Sequence, residues 1–431
     1  MRVSTVTMYE QSLSAMNRQQ GDFLKVGQQI ASGRRVVNPS DDPQAASRAV
    51  GVSQAKAVTQ QFADARVSAR NTLAQAESVL NSTADAITSA KTLLVQAASD
   101  TLSDVDRQSV ASELRGIYET LIGQANATDG NGRYLFGGYQ DNSPPFARTS
   151  GEGVSGVNYV GDESTREQRI DASRLMPVAD NGKTIFQSVP SGAGYVARAE
   201  RESPGETSIG TQQGFVRNEG SVAFTSGPNR VDPNAAHFGK AFTVNFVEAE
   251  VDGEITMRVQ VANPDDPNEL IYDEPYEPGR AVSFGGVSIT LDGTPADGDQ
   301  IQLRPANDAN ANQDLFKSLK DAIDLLELDQ EGTPENRAHF RNTINTVMRE
   351  LDNSLDNVLT VRASMGARLN ELDVVDAVGG NRMMNYEKTL SDLVDLDYAK
   401  AIADYSLRQV GLQAAQKAFV DVKSMSLFNF L

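Results

Sequence analysis

Apolar residues near both ends of the chain recur in alternating steps of three and four. At the N-terminus the series is Val6, Tyr9, Leu13, Met16, Gln20, Phe23, Gly27 and Ile30, and six of these eight have an apolar or aromatic side chain to bury. A stripe this narrow is the signature of a coiled-coil seam. The C-terminus carries a second one: Val394, Tyr398, Ala401, Tyr405, Arg408, Leu412, Ala415, Phe419 and Val422, broken only by Arg408. Neither stripe can be buried by itself, and an antiparallel pairing of the two terminal helices satisfies both.

Turn chemistry marks where these helices stop and others start. Ser32-Gly33 ends the first, since Gly takes the left-handed C-cap conformation. Pro39 cannot continue a helix, Asp42 is a good N-cap, and Pro43 suits the first helical position. A helical pattern then runs from Pro43 to about Ala98, with Leu73, Leu80, Ile87 and Leu94 at every seventh position. At about 1.5 Å per residue it would be about 80 Å long, which suits a bundle better than an ordinary globular helix. A third helix is predicted from Ser103 onwards, with Asp104 and Asp106 in its first turn and Val110, Leu114, Ile117, Leu121 and Ile122 on its apolar face.

Composition changes at Thr128-Asp129-Gly130-Asn131-Gly132, and turn residues dominate from there. Short strands are predicted up to about Asn310, the clearest at Phe242–Val247, Ile255–Val261, Val287–Leu291 and Ile301–Leu303. Asp252-Gly253 and Asp292-Gly293 are hairpin-type turn signals. Residues 190–235, rich in Gly, Ser, Pro and Asn, read largely as loop. Helix returns near Gln313, with Leu315, Leu319, Ile323 and Leu326. Thr333-Pro334 then opens a long helix containing Phe340, Ile344, Val347, Leu351, Leu355 and Val358.

The fold class is therefore α+β: an elongated rod of long helices from both termini, with a β-rich domain inserted at its tip. The boundaries are 1–42 and 376–431 for the terminal coiled-coil helices, 43–145 and 311–375 for the helical rod, and 146–310 for the insertion.

Charge and composition narrow what such a chain can do. Its 431 residues exceed the usual single core. The formal net charge of −19 argues against nucleic acid and acidic membranes as partners. Residues 146–310 hold 13 basic and 25 acidic residues, a net of −12, whereas residues 1–50 hold 6 and 4, a net of +2. The acidic middle reads as a solvated outward surface. With no cysteine there is no disulfide, thiolate metal site or thiol nucleophile. No Sec-type apolar segment follows Met1, and no run of residues is long and apolar enough for a membrane span.

Chemical motifs do not assemble. Gly151, Gly153 and Gly156 match a dinucleotide fingerprint on spacing alone, without the strand before or the helix after that the mechanism needs. Asp41-Asp42 is explained by capping. Asp297-Gly298-Asp299 and Asp265-Asp266 read as polar turns rather than weak Ca²⁺ sites. Only two histidines exist, His237 and His339, and no His-Glu-x-x-His occurs. The expectation is no catalytic, cofactor-binding or metal residue, and no enzyme.

Several segments resemble the flagellin superfamily, and within it the flagellar hook-associated protein 3 type. The most specific is Ser32-Gly33-Arg34-Arg35-Val36 leading to Ser40-Asp41-Asp42-Pro43-Gln44-Ala45-Ala46. Flagellins have a similar turn and Asp pair, usually followed by Ala; Pro there looks more like the hook-associated type. Arg133-Tyr134-Leu135-Phe136-Gly137-Gly138 with Pro145-Phe146 is similar to that family's exit from its helical domain. Arg362-Ala363-Ser364-Met365-Gly366-Ala367-Arg368-Leu369 resembles its returning helix, and Ser426-Leu427-Phe428-Asn429-Phe430-Leu431 its usual ending. The resemblance covers roughly residues 1–146 and 310–431.

The resemblance implies a structural subunit of the bacterial flagellum at the junction of hook and filament. It implies a homo-oligomeric ring in a tubular assembly, with a neighbouring hook-associated protein on one side and flagellin on the other. It further implies an export chaperone before secretion and export to the extracellular flagellum through the flagellar type III apparatus. A flagellin, or a secreted rod carrying an adhesive or carbohydrate-binding β domain, is the alternative. Lean seams suit helices that stay unpaired until assembly. Residues 1–35 and 385–431 are thus expected to be largely disordered in the free monomer. Leu13, Phe23, Ile30, Tyr405, Leu412 and Phe419 are the expected assembly-interface residues, while Leu73, Leu80, Ile87 and Leu94 are expected to be ordinary bundle core.

Overall fold

The computed structural model describes residues 5–99, 102–149, 156–189, 195–206, 214–224, 227–251, 253–305, 313–328 and 333–428. Gly151, Gly153, Asp252 and the closing Asn429-Phe430-Leu431 fall outside them. Contacts divide the chain into two compact units. The first comprises Met1–Val67, Arg169–Arg174 and Leu372–Leu431, and the second comprises Ser68–Gln168 and Leu175–Glu371.

The helices follow the local signals closely. α1 (Thr5–Ser32) ends where Gly33 takes a φ of +69°. α2 (Pro43–Ala97) is capped by Asp42, whose Oδ1 accepts the Ala45 amide at 3.0 Å. α3 (Asp104–Ala125) starts with a capping box, in which the Ser103 side chain accepts from the Asp106 amide and Asp106 accepts from the Ser103 amide. α4 (Leu315–Glu327) is capped by Asp314. α5 (Pro334–Val394) begins beside Thr333, whose hydroxyl accepts the Asn336 amide at 3.3 Å.

At its far end the observed boundary differs from the expected one. The C-terminal seam was drawn through Val394 and Tyr398 as a single helix, but Val394 closes α5 and α6 (Tyr398–Phe428) begins after a break at Asp395-Leu396-Asp397. Asp397 caps α6 through the Lys400 amide at 3.1 Å. The backbone of the break is taken up by a short antiparallel bridge between Arg34 and Asp395.

In the second unit the heptad residues Leu73, Leu80, Ile87 and Leu94 are all fully buried, as expected of a helical core. α3 packs against α4. Arg362 on α5 grips Glu77 on α2 with Nε and Nη2 at 3.1 and 2.7 Å. Arg368 clamps Asp180 with two hydrogen bonds of 2.9 and 2.8 Å, and Met365 between the two arginines is fully buried. Phe136 and Phe146 join Phe186 and Phe316 in a buried aromatic knot, with ring centroids 5.3–5.7 Å apart for three of its pairs. The two segments singled out as Arg133–Gly138 and Arg362–Leu369 thus owe their composition to packing in this unit.

The described residues in the middle of the chain hold fifteen strands. β1 (Phe146–Arg148) pairs with β2 (Val157–Tyr159), and β3 (Glu167–Asp171) with β4 (Arg174–Pro177). After β5 (Tyr195–Arg198), β6 (Glu200–Glu202) pairs with β7 (Phe215–Arg217), followed by β8 (Ala223–Phe224) and β9 (Asn229–Arg230). Then come β10 (Phe242–Val251), β11 (Glu254–Asn263), β12 (Asp266–Pro275), β13 (Ala281–Phe284), β14 (Val287–Asp292) and β15 (Gln300–Pro305). A five-stranded antiparallel sheet in the order β12-β11-β10-β15-β5 faces a second sheet, β13-β14-β8, to which β9 also pairs. Tyr195, Phe224, Phe242, Phe246, Val261, Ile289, Leu291 and Leu303 from both sheets form one core.

One expectation for this region is refined and one corrected. Most described residues of 190–235 are indeed outside strands, but five short strands, β5 to β9, lie among them and β5 is an edge of the large sheet. Asp292-Gly293 does not turn a hairpin: Asp292 pairs with Ala223 of β8, and the next strand, β15, belongs to the other sheet. The hairpin beside it, β13 to β14, turns at Gly285-Gly286.

The sandwich is fixed to α5 by a part-buried ion pair between Arg198 of β5 and the buried Glu350 of α5. Ser318 of α4 donates to the second Glu350 oxygen at 2.5 Å. Asn342 of α5 also extends the sheet: its Oδ1 accepts the Phe224 amide at 3.1 Å and its Nδ2 donates to the Val222 carbonyl at 2.8 Å.

Candidate assembly surface

The two terminal helices pair antiparallel within the first unit. At one end of the pair the Arg35 amide donates to the Val394 carbonyl at 2.7 Å, and the Leu396 amide to the Gly33 carbonyl at 3.0 Å. Further along, Phe23 stacks on Tyr405 with ring centroids 4.6 Å apart. Gly27 faces the same ring, and Gln19 reaches Gly411.

Arg408, the one break in the C-terminal seam, is accounted for by this geometry. It lies across from α1 and forms an ion pair with Asp22 at 2.8 Å. One seam position moves. Gln20 is exposed, and its neighbour Gln19 faces α6 instead, because a step of three from Met16 brings the side chain opposite the open space at Gly411.

The link between α1 and α2 is held by the acidic pair. Asp41 accepts the Val37 and Asn38 amides at 3.1 and 2.9 Å and pairs with Lys25 at 2.9 Å. Asp42 caps α2 and pairs with Arg35 at 3.0 Å. The backbone amide bonds, then these cations, hold both carboxyls below the usual carboxylate range. Helix capping thus accounts for Asp42 alone, and Asp41 is engaged instead by the preceding turn and Lys25.

The seam buries little. Among the described side chains of α1 only Val26 is buried, and among those of α6 only Ala401. Phe23, Ile30, Tyr405, Leu412 and Phe419 are half-buried, and Leu13 is exposed. The structure brings Phe23 and Tyr405 into direct contact within one chain and leaves Leu13 at the surface.

A second apolar set emerges on the outside of the pair. Leu407 and Val410 are 73% and 63% exposed, and Ala403 and Ala414 extend them at steps of four, three and four. Leu24, Ile402 and Val420 are exposed as well. The signal was present in the sequence, at the same steps as the first seam. It is hidden there because apolar and polar residues are spread all round α6, and one seam already accounts for a stripe.

The acidic turns elsewhere are occupied by protein. Asp299 is buried and accepts the Glu219, Gly220 and Ala296 amides at 2.8–2.9 Å. Asp265 holds His237 and Lys240 at 3.1 and 3.0 Å. Among the described residues no three His, Asp or Glu side chains gather as a metal site would need, and no helix is long and apolar enough to cross a membrane.

Comparison with known proteins agrees with this architecture. The bacterial flagellin N-terminal helical region matches residues 3–141. Flagellar hook-associated protein 3 of Salmonella typhimurium is 31% identical over 429 residues, covering 100% of this chain and 99% of the relative. The protein of the same name from Escherichia coli is 32% identical over the same coverage. The chain belongs to the flagellar hook-associated protein 3 family.

The fold agrees with that membership. The crystal structure of FlgL from Xanthomonas campestris superposes with a TM-score of 0.64 at 26% identity, covering 79% of this chain and 99% of that one. The α+β class, with long helices from both termini around a β-rich middle, is the flagellin-like fold that this hook-associated protein 3 chain shares with its relatives.

Proposed function

We propose that this chain is a structural subunit of the bacterial flagellum at the hook–filament junction, where copies of it form a ring. A neighbouring hook-associated protein sits on one side and flagellin on the other. The observation that carries this reading is end-to-end kinship with hook-associated protein 3, joined to a terminal helix pair that leaves an apolar stripe uncovered. Leu13, Phe23, Ile30, Tyr405, Leu412 and Phe419 form or border this pair, and Leu407 and Val410 extend its outer face. In the assembled ring these residues would meet neighbouring copies.

The thin seam supports a further part of the reading. A helix pair with so little buried surface gains little from closing, and helix formation alone is marginal. Residues 1–35 and 385–431 therefore open readily in the free monomer and order against neighbours, as suits a chain exported unfolded with a chaperone's help. The β-rich 146–310 segment faces solvent. The adhesive alternative finds no support there: among its described residues no aromatic side chain is exposed for sugar stacking. No chemical step is assigned to the chain.

An in-frame deletion in the native host tests the proposal. Hooks without filaments and flagellin shed into the medium are the expected outcome, with filament growth restored by the purified protein. Persistent filaments on swimming cells would refute the junction role.

A further inference from the structure

Helix α5 carries Gly379 and Gly380 side by side in its interior. Glycine is the poorest helix former after proline, and an adjacent pair is a recognised origin of helix kinks. The two glycines stand in different surroundings. A Cβ on Gly379 would lie 2.6 Å from Nη2 of Arg66, closer than real side chains approach, whereas a Cβ on Gly380 would meet nothing within 4 Å. Packing therefore accounts for the first and not the second. Gly51 and Gly366 also face open space, but neither has a second glycine beside it.

Arg66 of α2 is 2% exposed. Its Nε donates to Asp376, one turn before the glycines, and its Nη1 donates to the Ile170 carbonyl at 3.0 Å. Ile170 lies on the β3–β4 hairpin, whose residues 169–174 belong to the same compact unit as Arg66 and residues 372–394 of α5. The next residue, Asp171, receives Arg382 of α5 at 3.1 Å, and this bond first, then that from the Ala172 backbone, holds its carboxyl below the usual range. One guanidinium from each helix thus grips the hairpin turn, on either side of the glycine pair.

We propose that Gly379-Gly380 is a hinge in α5, and that the hairpin turn with Arg66 and Arg382 is the latch that keeps it straight. With the latch closed, the Arg66 charge is paired and the notch at Gly379 is filled. When the turn leaves, Arg66 loses its carbonyl partner, is drawn out toward water, and frees α5 to bend at Gly380. The outer ion pair is partly exposed, so salt weakens the latch.

Hydrogen exchange on the full-length protein tests this through peptides covering 374–386 and 167–176. Gly380→Ala should slow exchange in the first peptide about fivefold, the ratio set by the Ala–Gly difference in helix propensity. Gly379→Ala should expel Arg66 and speed exchange in both peptides together. Asp171→Asn, which leaves the buried pair intact, should speed both more modestly and remove their salt dependence; it carries the test if Gly379→Ala does not fold. Unchanged exchange at 374–386 in Gly380→Ala would overturn the hinge. A hairpin that loosens in Asp171→Asn while α5 stays as protected as before would overturn the latch.

Discussion

Phe23 of α1 lies stacked on Tyr405 of α6, the ring planes 29° apart. This contact joins residues from opposite ends of the chain, in a seam where Val26 and Ala401 are the only buried side chains among those described. An aromatic pair of this kind contributes about 0.5–1.5 kcal/mol beyond its buried area. Tyr405→Ala should therefore raise amide exchange throughout α1, whereas Tyr405→Phe should leave it unchanged. Equal exchange in both variants would mean that the stack does not hold the pair.

The depth of burial differs sharply between α1 and α2. In the free monomer the amides of α1 and α6 should exchange orders of magnitude faster than those around Leu73–Leu94, where the heptad residues are fully buried. Uniform protection along all these helices would contradict opening of the terminal pair before assembly.

The exposed stripe gives a prediction that separates folding from assembly. Leu407→Asp with Val410→Asp should change monomer stability by less than about 0.5 kcal/mol, since both side chains already face water. Leu80→Ala, in contrast, should cost about 3–4 kcal/mol at a fully buried site. Only the aspartate pair should fail to restore filament growth in the deletion strain while folding normally. Full restoration would remove Leu407 and Val410 from the interface.

Asp314 caps α4 from a half-buried position, and desolvation there pushes its carboxyl up to about 6 from an ordinary 3.8. Between those values the folded chain holds a proton that the unfolded chain has released. Stability from this group is thus full below 3.8 and lost as pH rises through 6. Asp314→Asn keeps the cap, since Asn caps as well as Asp, and cannot ionise. Denaturation curves at pH 4 and pH 7 should show the variant gaining about 2–3 kcal/mol on the parent between the two. A pH-independent difference would place the proton elsewhere.

Glu350 holds the β sandwich to the helices through Arg198 and Ser318. Glu350→Ala leaves the largely covered Arg198 without its carboxylate, and should cost about 3 kcal/mol. The double variant Glu350→Leu/Arg198→Met, which removes both charges, should recover most of that loss in chemical denaturation. Failure to recover would mean that the pair's geometry, not its charge balance, sets the cost.

Much of the helical frame was legible in the residues alone, because its determinants are local. Caps at Asp42 and Ser103, the stop at Gly33 and the start at Thr333-Pro334 are read within a turn or two of helix, and the structure has each of them, whereas the seams hold only in part, with Gln20 outside the first and a break at Asp395–Asp397 in the second. The antiparallel pairing of α1 and α6 also followed, since two unburied stripes demand each other. What only the tertiary structure decided is non-local. β12, Asp266–Pro275, alternates too weakly to announce a strand, yet the Val259–Val261 edge of β11 makes it one. The break at Asp395–Asp397 exists because Gly33 and Arg34 offer backbone partners from the far end of the chain. Arg408 is a flaw in its own helix and a match for Asp22 across the seam. Periodicity records which face of a helix is apolar, whereas the partner that covers that face, or leaves it open as at Leu407 and Val410, is set by where the rest of the chain comes to lie.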